Sequence, residues 1–242
     1  MTRLLTFLLA ILISGQNPGP AITGALASGA GGGGSPATYV NAVSAETGGS
    51  SCADTISLTA GQQIAVVGMS TTASSMTITV ADPDLSGITL AATSGASGAS
   101  TTITIYTATV ATTNATSTVS VTFSGSANYG SCTTMVFSKS AAFTFDKSSA
   151  AANTSTTSYT TGTTLTTSVA TEELIACFVA PGSGETFSGG AGFTMPSSAV
   201  WNGIGQIHSG CEYRPVTTTG AYAGTATDSS ATTGVGLLVT LE

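Results

Sequence analysis

Thr and Ser fill about a third of this chain, while the charged side chains are only 4 Lys and Arg and 11 Asp and Glu in 242 residues. That pairing constrains the fold more than any motif does. Thr is β-branched, so it suits a pleated surface and is a mediocre helix residue. Glu, Lys and Arg, which usually cover exposed helix faces, are almost missing, and no stretch offers spaced Glu→Lys pairs. The chain is expected to be all-β with hydroxyl-covered outer faces and almost no helix. Hydrophobic residues make up 41%, enough to separate it from disordered polar chains.

The amino terminus carries a second compositional signal. Arg3 precedes an apolar run over residues 4–13, the length of a signal-peptide core and too short to span a bilayer. Residues 1–27 are expected to be a signal peptide, cleaved after residue 15 or residue 27. Residues 28–37 read as a Gly/Ser linker. Folded structure is expected over residues 38–242 as a single domain. No other apolar stretch is long enough for a transmembrane helix, so no membrane span is expected beyond the signal.

An exported chain with an even number of cysteines usually forms disulfides. Cys52, Cys132, Cys177 and Cys211 allow three connectivities. Cys52–Cys132 with Cys177–Cys211 is favoured, because each bridge then stays within one half of the domain. Localisation is expected to be secreted, extracellular or at the cell surface.

Period-two alternation recurs along the chain. Met76, Ile78 and Val80 alternate with Thr, as do Val119, Val121 and Phe123, and Val235, Leu237, Val239 and Leu241. Ile103 and Ile105 face opposite Thr102, Thr104 and Tyr106. Residues 63–69 and 174–179 are apolar on both faces and read as central strands, with residues 132–138 intermediate. Turn clusters stand at Asp82-Pro83-Asp84 and at residues 94–100, 112–114, 124–128 and 181–184. Thr171-Glu172-Glu173 reads as a turn before a strand. Residues 148–164, rich in Ser, Thr and Ala, read as a linker, a long loop or an edge strand. The expected architecture is an antiparallel, jelly-roll-like β-sandwich.

The order of these segments, with Glu212-Tyr213-Arg214 followed by Gly220-Ala221-Tyr222 as its most specific part, resembles a diffuse group of exported bacterial and phage-associated β-sandwich domains. The likeness covers about residues 38–242. It implies a jelly-roll or Ig-like fold on a surface protein and brings no catalytic residue. Two departures stand out: the turn Asp82-Pro83-Asp84-Leu85-Ser86-Gly87 differs from the group's Gly-Asn type, and Val136-Phe137-Ser138 has no acidic residue where relatives often have one.

Charge scarcity also limits function. Net charge is −7 with a pI near 4.3, and four basic residues cannot build a counterion-displacing patch, so nucleic acid is not expected as a partner. Catalysis is not expected: His208 is the sole histidine and reads as structural or incidental, no nucleophile elbow is present, and the local carboxylate pairs lack a sugar cleft. No cofactor is expected. Asp82 and Asp84 are the candidate Ca²⁺ ligands. Glu212 and Arg214 share a strand face and suggest an ion pair, with Lys139 or Lys147 as other partners for Glu212. Trp201, Glu212, Tyr213 and Arg214 are the candidate ligand-binding residues, with Tyr222 extending a sugar-stacking face. Tyr106, Tyr129 and Tyr159 form the alternative platform. Asn114 and Asn153 sit in N-glycosylation acceptor patterns.

The expected function is a non-enzymatic extracellular structural or adhesive module that associates with itself or with a surface polymer or glycan. A carbohydrate- or ligand-binding module and a phage virion component are the alternatives.

Overall fold

The alternating segments become strands and the two-sided apolar segments become sheet centres. The computed structural model describes residues 35–242 apart from 73–75, 97–99, 126–128, 165 and 204–205. The expected signal peptide, most of the expected Gly/Ser linker and parts of the turns at 94–100 and 124–128 lie outside the described residues. Residues from Gly33 to Glu242 form one compact unit. The fold is all-β and antiparallel, with one short 3-10 turn at Ser197–Ala199 among the described residues.

Three sheets make up the sandwich. The central sheet has the order β1-β8-β3-β6-β5. Its strands are β1 (Thr38–Thr47), β3 (Gln63–Ser70), β5 (Leu85–Ala96), β6 (Thr101–Val110) and β8 (Gly130–Ser138). A small sheet, β2-β7-β4, comprises β2 (Ser51–Leu58), β4 (Ile78–Ala81) and β7 (Asn114–Phe123). A six-stranded sheet contains β9 (Phe145–Thr160), β10 (Glu172–Ala180), β11 (Phe187–Gly189), β12 (Val200–Trp201), β13 (His208–Val216) and β14 (Thr225–Leu241).

The central sheet is covered on both faces, so its inner strands are apolar on both faces. Ile64 and Val66 of β3 meet Ile56, Val119, Val121 and Phe123 of the small sheet. Ala65, Val67 and Met69 point the other way, to Ile175, Val179, Leu237 and Val239 of the six-stranded sheet. The two strands read as central, β3 and β10, are buried along their whole length. β8, read as intermediate, is buried too, up to its last residue. Thr133 and Thr134 therefore lie inside, and the hydroxyl residues are not confined to outer faces. Buried hydroxyls pair across strands and layers: Thr133 with Ser44 at 2.9 Å, and Ser131 with Ser209 at 3.0 Å. Such pairing lets a Thr-rich strand enter a core without leaving orphan hydroxyls.

Gly68 keeps the small sheet close. A Cβ there would collide with Ile78 Cγ2 and stand 2.8 Å from Val121 Cγ1. Gly68→Ala should therefore cost about 1–3 kcal/mol by overpacking, read as a lower urea midpoint at unchanged m-value. A gain in stability would show that the small sheet yields freely.

The stretch over residues 148–164 resolves into an edge strand. β9 pairs with β14 from Phe145↔Leu241 to Thr160↔Thr225, with irregular register in the middle. There the ribbon folds back. Asn153 Nδ2 donates to Thr160 O at 3.0 Å, and Thr160 N donates to Asn153 Oδ1 at 2.9 Å. The returning tip places Tyr159 and Ala226 against Phe178 and Leu238, on the face of the six-stranded sheet turned away from the central one. Beyond β9 the chain makes a further ladder with a period of three. Thr161, Thr164 and Thr167 each donate N–H to, and accept N–H at Oγ1 from, Gly224, Tyr222 and Gly220 in turn.

Thr171-Glu172-Glu173 is not wholly a turn. β10 starts at Glu172, and both glutamates are 1% exposed. The acidic pair resembles a cap in sequence, but β10 is covered on both faces, and that carries both glutamates into the interior.

The disulfides are Cys52–Cys132 and Cys177–Cys211. The first joins β2 of the small sheet to β8 of the central sheet. The second links directly opposed residues of β10 and β13.

Candidate functional site

Four of the chain's few ionisable groups, His208, Glu212, Arg214 and Asp228, lie between the six-stranded sheet and the folded-back tip. β13 alternates: Ser209, Cys211 and Tyr213 face the central sheet, while His208, Gly210, Glu212 and Arg214 face the tip. This alternation places the lone histidine in a dry polar seam. His208 Nε2 lies 2.9 Å from Asp228 Oδ2, and both side chains are fully buried. Thr232 Oγ1 donates to the same Asp228 oxygen, Tyr159 OH stands 2.8 Å from Thr232 Oγ1, and Ser230 N donates to Asp228 Oδ1 at 3.2 Å. The Phe187 ring lies 4.9 Å from the imidazole. With Asp228 as the acceptor, the chain of donors runs Tyr159 to Thr232 to Asp228, and the imidazole proton sits on Nε2.

Of the structural and incidental readings of His208, the geometry matches the structural one. Its Nδ1 is buried and has no hydrogen-bond partner among the described residues, so no hydroxyl stands where a nucleophile would. The signal for this seam was in the sequence only as scarcity. A single His on an alternating strand has to be solvated by something, and its partner, Asp228, lies on another strand.

Glu212 is buried further along the same face. It accepts from Gly190 N at 2.9 Å, and its Oε1 lacks a partner among the described residues. Burial pushes its carboxyl up to about 7, against the pull of the Gly190 and Thr225 backbone donors. The expected ion pair with Arg214 is not formed, nor is one with Lys139 or Lys147. Arg214 instead lies 5.9 Å from the Phe193 ring and 5.7 Å from the Tyr222 ring, a cation–π site. Lys147 pairs with Asp146 at 2.5 Å. Lys139 lies 5.2 Å from the Phe143 ring.

The proposed aromatic face is divided. Tyr213 stacks on Tyr39 at 4.7 Å toward the central sheet, whereas Tyr222 packs against the tip-side cluster. Trp201 donates its indole N–H to Glu46 and packs against the central core cluster. Trp201 and Tyr213 pack against the central core cluster and Tyr222 against the tip-side one, so the three rings do not share one platform. Tyr159 is 1% exposed, which removes it from the alternative platform.

Asp82 and Asp84 do converge. The Ser117 hydroxyl lies 2.7 Å from Asp82 Oδ2 and 2.8 Å from Asp84 Oδ2, and Asn114 Nδ2 donates to Asp84 Oδ2 at 2.7 Å. Asp84 N donates to Asp82 Oδ1 at 2.6 Å, an Asx turn. The arrangement closes the turn against β7 with internal donors. Of the glycosylation candidates, Asn114 is held by Asp84, and Asn153 is 5% exposed with its amide locked in the ribbon fold. A glycan on Asn153 would have to break the bend.

A cleft of about 430 Å³ opens beside Phe187, lined by Thr186, Ser188, Met195, Ser197, Val200 and Asn202 among others. A second, of about 420 Å³, runs between β4 and β5 over Thr102, Thr104 and Tyr106. Tyr106 OH donates to Ile78 O at 2.7 Å there, so the small sheet's edge is satisfied from below. Comparison with known proteins finds no matching family model, no matching curated protein and no matching solved structure.

Proposed function

We propose that this protein is a non-enzymatic extracellular structural or adhesive module that associates with copies of itself along one flank. The carrying observation is the character of that flank. The edge strands β5 and β9 lie on the same side of the sandwich. From Ser148 to Thr160, β9 carries no charged residue, and β5 carries none at all. Ile88, Leu90 and Phe145 are among the exposed large hydrophobic residues. Natural edges are usually blunted with Lys, Pro or covering loops, and an uncharged edge of this length is a template for pairing. Two disulfides fit a non-reducing, extracellular setting.

The reading is tested by sedimentation of the oxidised protein across a wide concentration range. Wild type should associate, and Leu90→Lys combined with Ala152→Lys should weaken association at least about tenfold, roughly 1.4 kcal/mol. Wild type that remains strictly monomeric at high concentration ends the proposal.

A further inference from the structure

We propose that Asp54 is the proton acceptor for closure of the Cys52–Cys132 bridge: its carboxylate takes the proton of the Cys132 thiol, and the carboxyl returns it when the bridge is reduced. A buried acid set against a sulfur carries this inference. β2 turns Cys52, Asp54, Ile56 and Leu58 inward, and Asp54 is fully buried beside a layer of Ile56, Val119, Val121 and Val136. A carboxyl in an apolar layer is costly and calls for a reason. Strand β8 supplies what it faces. Cys132 Sγ lies 3.5 Å from Asp54 Oδ1, and the Thr134 hydroxyl donates to Oδ2 at 2.8 Å. Thr134 thus holds the carboxyl with Oδ1 aimed at the sulfur. A bridged sulfur has no proton to donate, so this contact is a hydrogen bond only when Cys132 is a thiol.

The two sulfurs are not equivalent. Cys132 is sealed within the central sheet, whereas Cys52 keeps 3% exposure on β2, an outer strand of the small sheet. A low-molecular-weight disulfide of the glutathione class therefore exchanges first with Cys52. The Cys52 thiolate attacks one of its sulfurs, a small thiolate leaves, and a mixed disulfide remains on Cys52. Cys132 then closes the bridge. Its S–H bond breaks, the proton passes to Asp54 Oδ1, the sulfur attacks Cys52 Sγ, and the second small thiolate leaves with the electron pair of the broken S–S bond. Two protein thiols are oxidised, the small disulfide is reduced to two thiols, and Asp54 ends as a carboxyl.

Only the thiolate is nucleophilic, and a thiol shielded between two sheets needs a base beside it. Burial pushes the Asp54 carboxyl up to about 7 against the pull of Thr134, which makes its carboxylate a better base than an exposed one and lets it keep the proton. Of the strands packed around Asp54, β7 carries no ionisable side chain and β8 none besides Cys132. β1 carries Tyr39 and Glu46, which turn to the other face, toward Tyr213 and Trp201.

The experiment oxidises the reduced full chain with glutathione disulfide over a pH series and follows both bridges by acid quench, alkylation and peptide mass spectrometry. Cys177–Cys211, whose sulfurs sit in the apolar cluster with Ile175, Val179 and Leu237, is the internal reference. Asp54→Asn should slow closure of Cys52–Cys132 about tenfold or more at about pH 7 and leave Cys177–Cys211 at the wild-type rate. The difference should vanish above the ordinary thiol value of about 8.5, where hydroxide ionises Cys132. Equal slowing of both bridges at every pH marks a folding defect and overturns the assignment, as does closure that the substitution leaves unchanged. Cys52→Ala gives a second measurement independent of closure, because it keeps Asp54 beside a permanent Cys132 thiol. The infrared S–H band of that thiol should move as the carboxyl titrates between about pH 5 and about pH 9. A band that stays fixed across that range also overturns the assignment.

Discussion

Urea midpoints of the oxidised protein, measured at fixed ionic strength, should fall steadily as pH rises from about 4.5 to about 8. Four buried carboxyls set this slope. Burial pushes Glu173 up to about 8 despite the Lys139 ammonium nearby. Glu172 also rises to about 8, through burial and then the adjacent Asp146 carboxylate. Asp54 and Glu212 rise to about 7, again through burial, with the Thr134 hydroxyl opposing at Asp54. In each case the folded chain holds its proton at a pH where the unfolded chain has released it. The stabilising contribution is complete below the ordinary carboxyl value and is lost as pH climbs toward the folded value. Each group contributes about 1.4 kcal/mol per pH unit inside its window. Asp146 runs the other way. Burial raises it, but Lys147 and Ser168 pull it down further, to about 2, so its contribution disappears on acidification below the usual carboxyl range. The maximum should therefore lie near pH 4, lower than for most domains. Glu173→Gln should remove one group's share of the slope. A midpoint that is flat or rises toward pH 8 would mean that these carboxyls ionise freely in the folded chain.

Replacing Cys52 and Cys132 by Ala should lower stability by about 4–5 kcal/mol, more than the same change at Cys177 and Cys211, at about 4 kcal/mol. The difference follows from the separations, 80 residues for the first bridge and 34 for the second. The first bridge also ties two sheets together, whereas the second lies within a pair of strands that hydrogen bonds already hold. Chemical denaturation of the two double variants under oxidising conditions measures the ranking. Equal losses, or a smaller loss for the first pair, would show that the unfolded chain is already compact across that loop.

The layers of this fold were readable where one residue type meets one environment. Val119, Val121 and Phe123 alternate with polar neighbours and face the core between two sheets. β3 and β10 are apolar on both faces and are central. What alternation does not encode is the number of sheets. The central sheet needed a cover on each side, and the two covers came from different parts of the chain. Thr misleads most. The same side chain lies outside on β9 and inside on β8, because its hydroxyl can be satisfied by another hydroxyl across a strand or layer. Glu172 and Glu173 mislead for the opposite reason, since charge suggests solvent and burial keeps them protonated. The seam around His208 was illegible because its partners Asp228 and Thr232 lie on β14 and Tyr159 on β9, and only the folded-back tip brings them together. Of the ligand candidates, Tyr213 and Arg214 were separated by strand parity, a rule the sequence does display, whereas Tyr222 lies outside the strands.

The ribbon of β9 and β14 has a consequence for how the chain acquires its shape. Phe145 finds its partner only at Leu241, at the far end of the described sequence. β14 also forms the ladder that joins β10 to β9. During vectorial synthesis or export, β9 and β10 must therefore wait with open edges until the last strand emerges. Pairings this distant in sequence close slowly, and unpaired edges are exposed meanwhile. The central and small sheets draw on residues up to Ser138 and are available earlier, so the six-stranded sheet should assemble last, upon a finished base.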